Sequence, residues 1–457
     1  MNQSVFSARS LVAVAAVVAS AGVSLAQPDV VLTGINSITN YGQVGGIYAY
    51  AIGSNTCNNG NQNFNWTNNG TPGMAMNMYR LANGRLTQVG QSWVKTACCA
   101  AVGPGCVGTC NGQGGTVLGA GCLDVYSSGW NGGQGRLATK NGINPYTRSF
   151  GNATGGGATN AINRRLQVPT AEIVPNSAAN LYFVEGVYVC TEETLATSMN
   201  NASYRRITMA TAAGTPALQG NIAQGIPAIR AWRENGLGVG VVDNRVIINT
   251  LDIPAEGRFW TGYKVTDLGN GQWLYDYAIF NLNSHVAANS LTIPIPAGTN
   301  VSGMGFQDVN YHSGDTSANT DWAMTTTGGN MAWTGPDFAA APNGNSLRWG
   351  TMYNFWFTAD QPPVSVQANM GLFRPHTVQS INFGVQGPDA PASLCDYDFN
   401  QDENVDLNDA QNMAQVFVGT LAPGANWLSG DMNGDENADL NDAQILAQFV
   451  VTGTCSL

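Results

Sequence analysis

A decapeptide written twice constrains the end of this chain more tightly than any other feature of its sequence. Asp402-Glu-Asn-Val-Asp-Leu-Asn-Asp-Ala-Gln411 returns 33 residues later as Asp435-Glu-Asn-Ala-Asp-Leu-Asn-Asp-Ala-Gln444. Each copy lies in a loop of twelve residues that starts at Asp398 or Asp431. Oxygen-bearing side chains occupy loop positions 1, 3, 5, 9 and 12: Asp398, Asn400, Asp402, Asp406 and Asp409, then Asp431, Asn433, Asp435, Asp439 and Asp442. At position 7, Asn404 and Asn437 offer a backbone carbonyl. Calcium takes about six to eight oxygens in a forgiving geometry, and this alternation delivers them to one point. Two calcium ions are therefore expected. Four carboxylates in one loop repel one another unless a cation offsets them, so withdrawing calcium should weaken or unfold the segment.

An amphipathic helix is expected after each loop. Ala410, Met413, Ala414 and Phe417 share one face, and Ala443, Leu446, Ala447 and Val450 share the equivalent face of the second copy. Two such helices can bury these faces against each other, antiparallel, in a pseudo-twofold module. Cys395 and Cys455 would then lie close, and a disulfide closing this segment would contribute about 4 kcal/mol in the loop-entropy model. Of the chain's 29 acidic side chains, 11 lie from Cys395 onward with no Lys or Arg among them, leaving 18 acidic against 18 basic before it.

The segment from Cys395 to Cys455 resembles a dockerin domain, specifically the cysteine-bracketed variant carried by secreted planctomycete proteins. The resemblance implies a calcium-dependent plug that docks into a cohesin-like receptor and tethers the attached region to a complex or a cell surface. Loop positions 10 and 11 help choose the receptor in that family and are often small hydroxylated residues. Here they are Leu407 and Asn408, repeated as Leu440 and Asn441, so the receptor implied is not the standard cellulosomal one. Position 6 is Glu403 or Glu436 in place of glycine, a departure expected to strain the turn. The region in front of the tail resembles secreted planctomycete proteins of undefined activity, a likeness that names no catalytic residue.

At the other end, Arg9, the uncharged run Ser10–Gly22 and the small-x-small triplet Ser24-Leu25-Ala26 read as a signal peptide over residues 1–26. Its apolar core is shorter than the roughly 20 residues of a membrane span. No other segment approaches a transmembrane helix, and a secreted, extracellular or surface-held protein is expected. Nine cysteines fit an oxidising compartment. Cys106 and Cys110 lack the second pair a zinc site needs, so disulfides are expected. Cys98 and Cys99, being adjacent, should reach different partners. Seven cysteines precede Cys395, so at least one thiol there is buried, free or intermolecular if Cys395 pairs with Cys455. With 18 basic residues and no cluster of them, the chain lacks the positive footprint that nucleic acid requires.

Aromatic and aliphatic residues recur in strand-like runs, so the expected fold class is mainly β. Residues 27–245 read as a Cys/Gly-rich β region and 246–385 as an immunoglobulin-like or jelly-roll β-sandwich. Residues 386–394 read as a linker, and 395–457 as a small all-α calcium domain. Met74–Leu81, Asn83-Gly84 and Arg85–Val89 form a hairpin pattern. Cys98–Gly135 has no periodicity and reads as loops stapled by disulfides. Leu181–Cys190 is a strong strand, after which Thr191 is placed to cap a short helix. Phe259–Val265, Gln272–Asn281, Ser290–Ile295 and Tyr353–Ala359 complete the second β region. Gln272–Asn281 should be central, with Trp273, Tyr275, Tyr277 and Ile279 on its core face.

No catalytic residue is assigned. The 3 histidines, His285, His312 and His376, have little local company; Asp308, His312 and Asp315 read as a hydrogen-bonded turn. No nucleophile elbow, zincin motif or phosphate loop is present. Glu185 with Glu192 or Glu193 would have to face each other across a cleft to act as a glycosidase pair; Glu185 is expected to face solvent or a nearby Arg. Three functions stay open for the large region. It binds carbohydrate or protein while anchored by its tail, it degrades polysaccharide, or it is a structural part of the cell envelope.

Overall fold

The computed structural model describes residues 27–66, 72–97, 99–100, 103–151, 158–174, 179–311, 313–390, 406–420 and 439–452. They form a mainly β, disulfide-containing structure of several sheets with a small helical region at the C-terminus. Four sheets dominate. Sheet I holds Val30–Gly34, Ser54–Asn58 and Leu123–Tyr126. Sheet II runs in the order Ala217–Ala223, Ala202–Thr208, Asn180–Val189, Gly73–Ala82, Arg85–Thr96, Leu166–Pro169, Ile47–Ile52 and Ile38–Val44, with Leu137–Ala138 added beside Arg85–Thr96. Sheet III orders Ile247–Asp252, Arg258–Gly269, Gln272–Asn281, Thr351–Ala359 and Val301–Gln307. Sheet IV orders Ala323–Thr327, Asn330–Thr334, Ala288–Pro294, Pro363–Leu372 and Ser380–Pro388. Pairing within the central strands is antiparallel.

Side-chain alternation explains how these sheets stack. Along Gly73–Ala82, Met74, Met76 and Met78 join Val30 and Leu32 of sheet I in one core, with Tyr182 and Val184 beside them. The intervening Ala75 and Tyr79, with Phe183 and Val187, turn the other way and meet Ala278, Phe280 and Met352 of sheet III. Tyr275, Tyr277 and Ile279 then face Leu291, Ile293, Trp333 and Met370 of sheet IV. The period of two along each strand thus feeds two cores at once. Sheets II and III are each covered on both faces, which is why their strands read as almost continuous apolar runs. The result is a stack in the order I, II, III, IV, with sheets III and IV packed as a sandwich.

The hairpin Gly73–Ala82 and Arg85–Thr96 forms as its turn residues direct. Asn83 and Gly84 both have positive φ, 51° and 75°, which suits the right-handed strand twist. The turn then becomes a docking point. The Gly84 carbonyl accepts from Trp232 Nε1 at 2.8 Å and from Lys264 Nζ at 2.6 Å. Beside it, Arg85 Nε donates to Asp276 Oδ1 at 2.6 Å and stacks on Trp356, 3.8 Å from the ring centre. Leu86 O accepts from Asn354 Nδ2 at 2.9 Å, and Gln88 Oε1 from the Met352 backbone at 2.7 Å. Sheets II and III are therefore tied by polar contacts as well as by apolar burial.

Gln272–Asn281 is the third of five strands, and of its predicted core stripe Tyr275, Tyr277 and Ile279 are buried while Trp273 is partly covered at the strand's start. Three expectations need correction. Thr191 does not cap a helix; the turn forms later, at Thr197–Asn200, where Thr194 Oγ1 accepts from the Thr197 backbone at 3.2 Å. Gln386, Gly387 and Pro388, read as linker, continue the last strand of sheet IV and pair with Ser365, Val364 and Pro363. Of the adjacent cysteines, Cys98 lies outside the described residues, and the disulfides found among the described residues, Cys57–Cys106 and Cys110–Cys122, do not include Cys99.

The glycine-rich stretch is stapled by Cys57–Cys106 and Cys110–Cys122, with Cα–Cα separations of 5.9 and 4.5 Å. Cys190 is a buried thiol. At the C-terminus, the helices Leu407–Phe417 and Leu440–Thr452 bury Ala410, Met413, Ala443 and Leu446 together, with Ala414, Phe417, Ala447 and Val450 partly covered around them. These are the two faces expected from the repeat. Among the described residues, no helix is long and apolar enough to cross a membrane; residues 1–26 lie outside them.

Candidate functional site

Where each repeated loop enters its helix, two of its carboxylates are locked in a reciprocal cap. Asp406 Oδ1 accepts from the Asn408 backbone, and Asp409 Oδ2 accepts from the Asp406 backbone, both at 2.7 Å. The second copy repeats the arrangement: Asp439 Oδ1 accepts from Asn441 N at 2.8 Å and Asp442 Oδ2 from Asp439 N at 2.7 Å. A capping box of this kind satisfies orphan donors at a helix start and places negative charge where the helix dipole favours it. It also fixes the carboxylates of loop positions 9 and 12 relative to each other. Asp409 and Asp442 are both wholly buried. The adjoining positions 10 differ sharply from them: Leu407 and Leu440 are 54% and 53% exposed, with Asn408 and Asn441 exposed beside them. Two equivalent apolar spots are thus presented by two equivalent helix starts.

The other expected ligands, Asp398, Asn400, Asp402, Asn404, Asp431, Asn433, Asp435 and Asn437, lie outside the described residues, as do Cys395 and Cys455. Among the described residues, no three His, Cys, Asp or Glu side chains cluster in a spacing that would hold a metal ion.

In the β stack, the acidic residues considered for catalysis are dispersed. Glu185 does not face solvent or an arginine. It sits wholly buried between sheets II and III, where Oε2 accepts from Asn77 Nδ2 at 2.9 Å and Tyr79 OH at 2.7 Å, and Oε1 from the Ala228 backbone at 2.7 Å. Burial raises its pKa above the ordinary carboxylate range. The physical reason for the correction is that both faces of its strand are covered, so its parity gives no way out to water. Glu193 is buried as well, accepting from Val30 N at 2.7 Å and Asn201 Nδ2 at 2.6 Å. Burial pushes it up to about 8. Glu192 accepts from Asn65 N at 2.7 Å at the partly exposed end of a short strand. Asp315 accepts from Asn141 Nδ2 at 3.0 Å and the Ser317 backbone at 3.1 Å, whereas Asp308 accepts from Asn345 Nδ2. His312 lies outside the described residues, and His376 Nδ1 accepts from the Val378 backbone at 3.3 Å.

Of these acids, Asp308 lines a cleft, a space of about 100 Å³ between Val89, Gln167 and Pro169 of sheet II and Gln307, Val309 and Asn310 at the edge of sheet III. Burial pushes the Asp308 carboxyl up to about 6. Glu172, which sequence reasoning did not single out, lines the same cleft, but Arg80 neutralises it at 2.9 Å. The lining includes no aromatic ring. A sugar-cleaving pair needs one carboxylic acid and one carboxylate facing across the substrate; here the second carboxylate is held by a guanidinium, and the stacking surface is missing.

No protein-family model matches the chain, and no curated protein matches it. Among solved structures, the B domain of a biofilm associated protein aligns over 78% of this chain and 86% of its own, at 9% identity and a TM-score of 0.14, a likeness too faint to carry an argument.

Proposed function

We propose that this is a secreted protein whose C-terminal segment is a dockerin-like module. It takes up two calcium ions and docks into a cohesin-like receptor, thereby anchoring a β-rich region that binds a neutral polar ligand or serves structurally. The observation that carries the reading is the matched pair of helix starts. Two copies of one cap, two buried carboxylates at loop position 12 and two exposed leucines recur at the same register. The exposed leucines stand at the loop positions that help choose the receptor in dockerins, where a receptor would cover them. The face-to-face pair of sheets III and IV is read as an immunoglobulin-like or jelly-roll sandwich, an architecture common in extracellular binding regions. A polysaccharide-degrading activity is the weaker reading, because the acids that could serve it are scattered or neutralised. A purely structural envelope role predicts self-association through exposed strand edges.

Calorimetric titration of the full chain with calcium chloride tests the anchor. Uptake of two ions is expected, falling to one in Asp409→Ala and in Asp442→Ala, with loss of helical circular dichroism in chelator. No uptake at millimolar calcium, with an unchanged spectrum in chelator, would end the proposal. A glycan array probed with residues 27–390, which keep the whole last strand of sheet IV, tests the ligand class independently.

A further inference from the structure

One small cavity gathers three cationic side chains, none of them within ion-pair distance of a carboxylate among the described residues. On one side stand Lys140 and Asn141, next to sheet II; on the other stand His285, Arg348, Trp349 and Arg374, from the ends of strands in sheets III and IV. Lys140 is 3% exposed and donates to Gln91 Oε1 at 2.9 Å and Gly350 O at 3.3 Å, which uses two of its three donors. Arg348 is 4% exposed and donates to Pro342 O at 3.2 Å and Gly344 O at 3.1 Å. Arg374 donates to His285 O.

None of the three cations is in an ion pair among the described residues. Aromatic faces accommodate them instead: Lys140 lies 5.6 Å from Trp349, and Arg348 and Arg374 lie 5.2 and 5.8 Å from Phe373. The carboxylates that act on them do so from beyond ion-pair distance, Asp315 and Glu185 on Lys140 and Glu256 on Arg374, and each is held in place by neutral donors. Asp315 serves Asn141 and Ser317, Glu256 serves Ser284 and the Val286 backbone, and Glu185 serves Asn77, Tyr79 and Ala228.

Two further observations point to an occupant that accepts hydrogen bonds and brings negative charge. Arg348 Nε and Trp349 Nε1 are buried and have no acceptor, a cost that native interiors seldom leave standing. His285 is held at about 4 by burial and by Arg374 and Arg348, so its ring is neutral and adds no charge of its own. A water molecule would relieve the orphan donors but bring no charge into contact with the three cations. The cavity measures about 10 Å³, room for one small occupant, which favours a monatomic anion over sulfate or phosphate.

We propose that this cavity binds a single chloride-sized anion, held by Lys140, Arg348, Trp349 and Arg374, which balances the buried charge where the β layers meet. The site is independent of the calcium module. Its test is thermal unfolding of the calcium-loaded full chain, with sodium gluconate replaced stepwise by chloride, bromide or sulfate at constant ionic strength. Chloride and bromide should raise the midpoint saturably by roughly 2–4 °C, sulfate should not, and chloride NMR should show a broadened line. Arg374→Gln should raise the half-saturating chloride concentration about tenfold or more. Trp349→Phe, which removes one donor and keeps the ring, should weaken it too and carries the test if the arginine variant does not fold. Identical curves in all three salts with a sharp chloride line mean that only water occupies the cavity, and the proposal fails. It fails equally if both variants fold and saturate like the parent.

Discussion

At the scale of single residues, the acids in the β stack are structural groups with unusual titration. Glu185 satisfies three donors at once. Glu185→Ala would strand all three and should cost about 3 kcal/mol or more, whereas Glu185→Gln keeps an acceptor for Ala228 N and should cost about 1 kcal/mol; urea unfolding of both variants distinguishes them. Glu193, pushed up to about 8, makes stability fall with rising pH. The folded chain keeps that proton where the unfolded chain, at the ordinary value of about 4.5, has lost it. Stability from this group is full below about 4.5 and is lost progressively up to 8, at about 1.4 kcal/mol per pH unit as an upper limit. Asp308, pushed up to about 6, adds in the same direction over a narrower window. Thermal midpoints measured from pH 5 to 9 should fall across this range, and Glu193→Gln should flatten the slope. An unchanged slope in that variant would assign the pH response to other groups.

Individual elements show why some of this structure could be read from sequence and some could not. The Asn83-Gly84 hairpin was legible because positive φ at consecutive positions leaves few residue types to choose from. Gly84→Ala should cost about 1–2 kcal/mol from left-handed backbone strain. It also sets a new Cβ 2.6 Å from Lys264 Nζ, so the Lys264 contact to Gly84 O is disturbed as well; denaturation midpoints against Asn83→Gly, which should be near neutral, isolate the effect. The paired helix faces at the C-terminus were equally legible, since identical apolar spacing in two repeats has one economical solution. Glu185 was not. Its donors lie 43, 106 and 108 residues away along the chain, and a run apolar on both parities does not say which neighbours cover each face. The cationic cavity was invisible for the same reason: Lys140 and Gly350 meet across 210 residues.

For the whole molecule, three cores shared among four sheets imply one cooperative unit for the β stack. Arg85→Ala leaves Asp276, only 4% exposed at its side chain, without its guanidinium and should cost about 3 kcal/mol. Scanning calorimetry of the calcium-loaded chain should show the main transition moving down intact. If the variant instead splits that transition in two, sheets I and II unfold independently of III and IV, and the single-unit picture is wrong.

The docking of the hairpin onto sheet III sets a timetable for synthesis. Leu86 meets Asn354 across 268 residues, and a ribosome adding about 5–20 residues per second needs on the order of ten seconds to a minute to span that interval. Until then Tyr79, Phe183 and Val187 have only the first strands of sheet III to cover them, with Met352 still unmade. The nascent chain therefore spends that time with an adhesive surface open to other chains, and its yield should depend on a holding chaperone more than on its final stability.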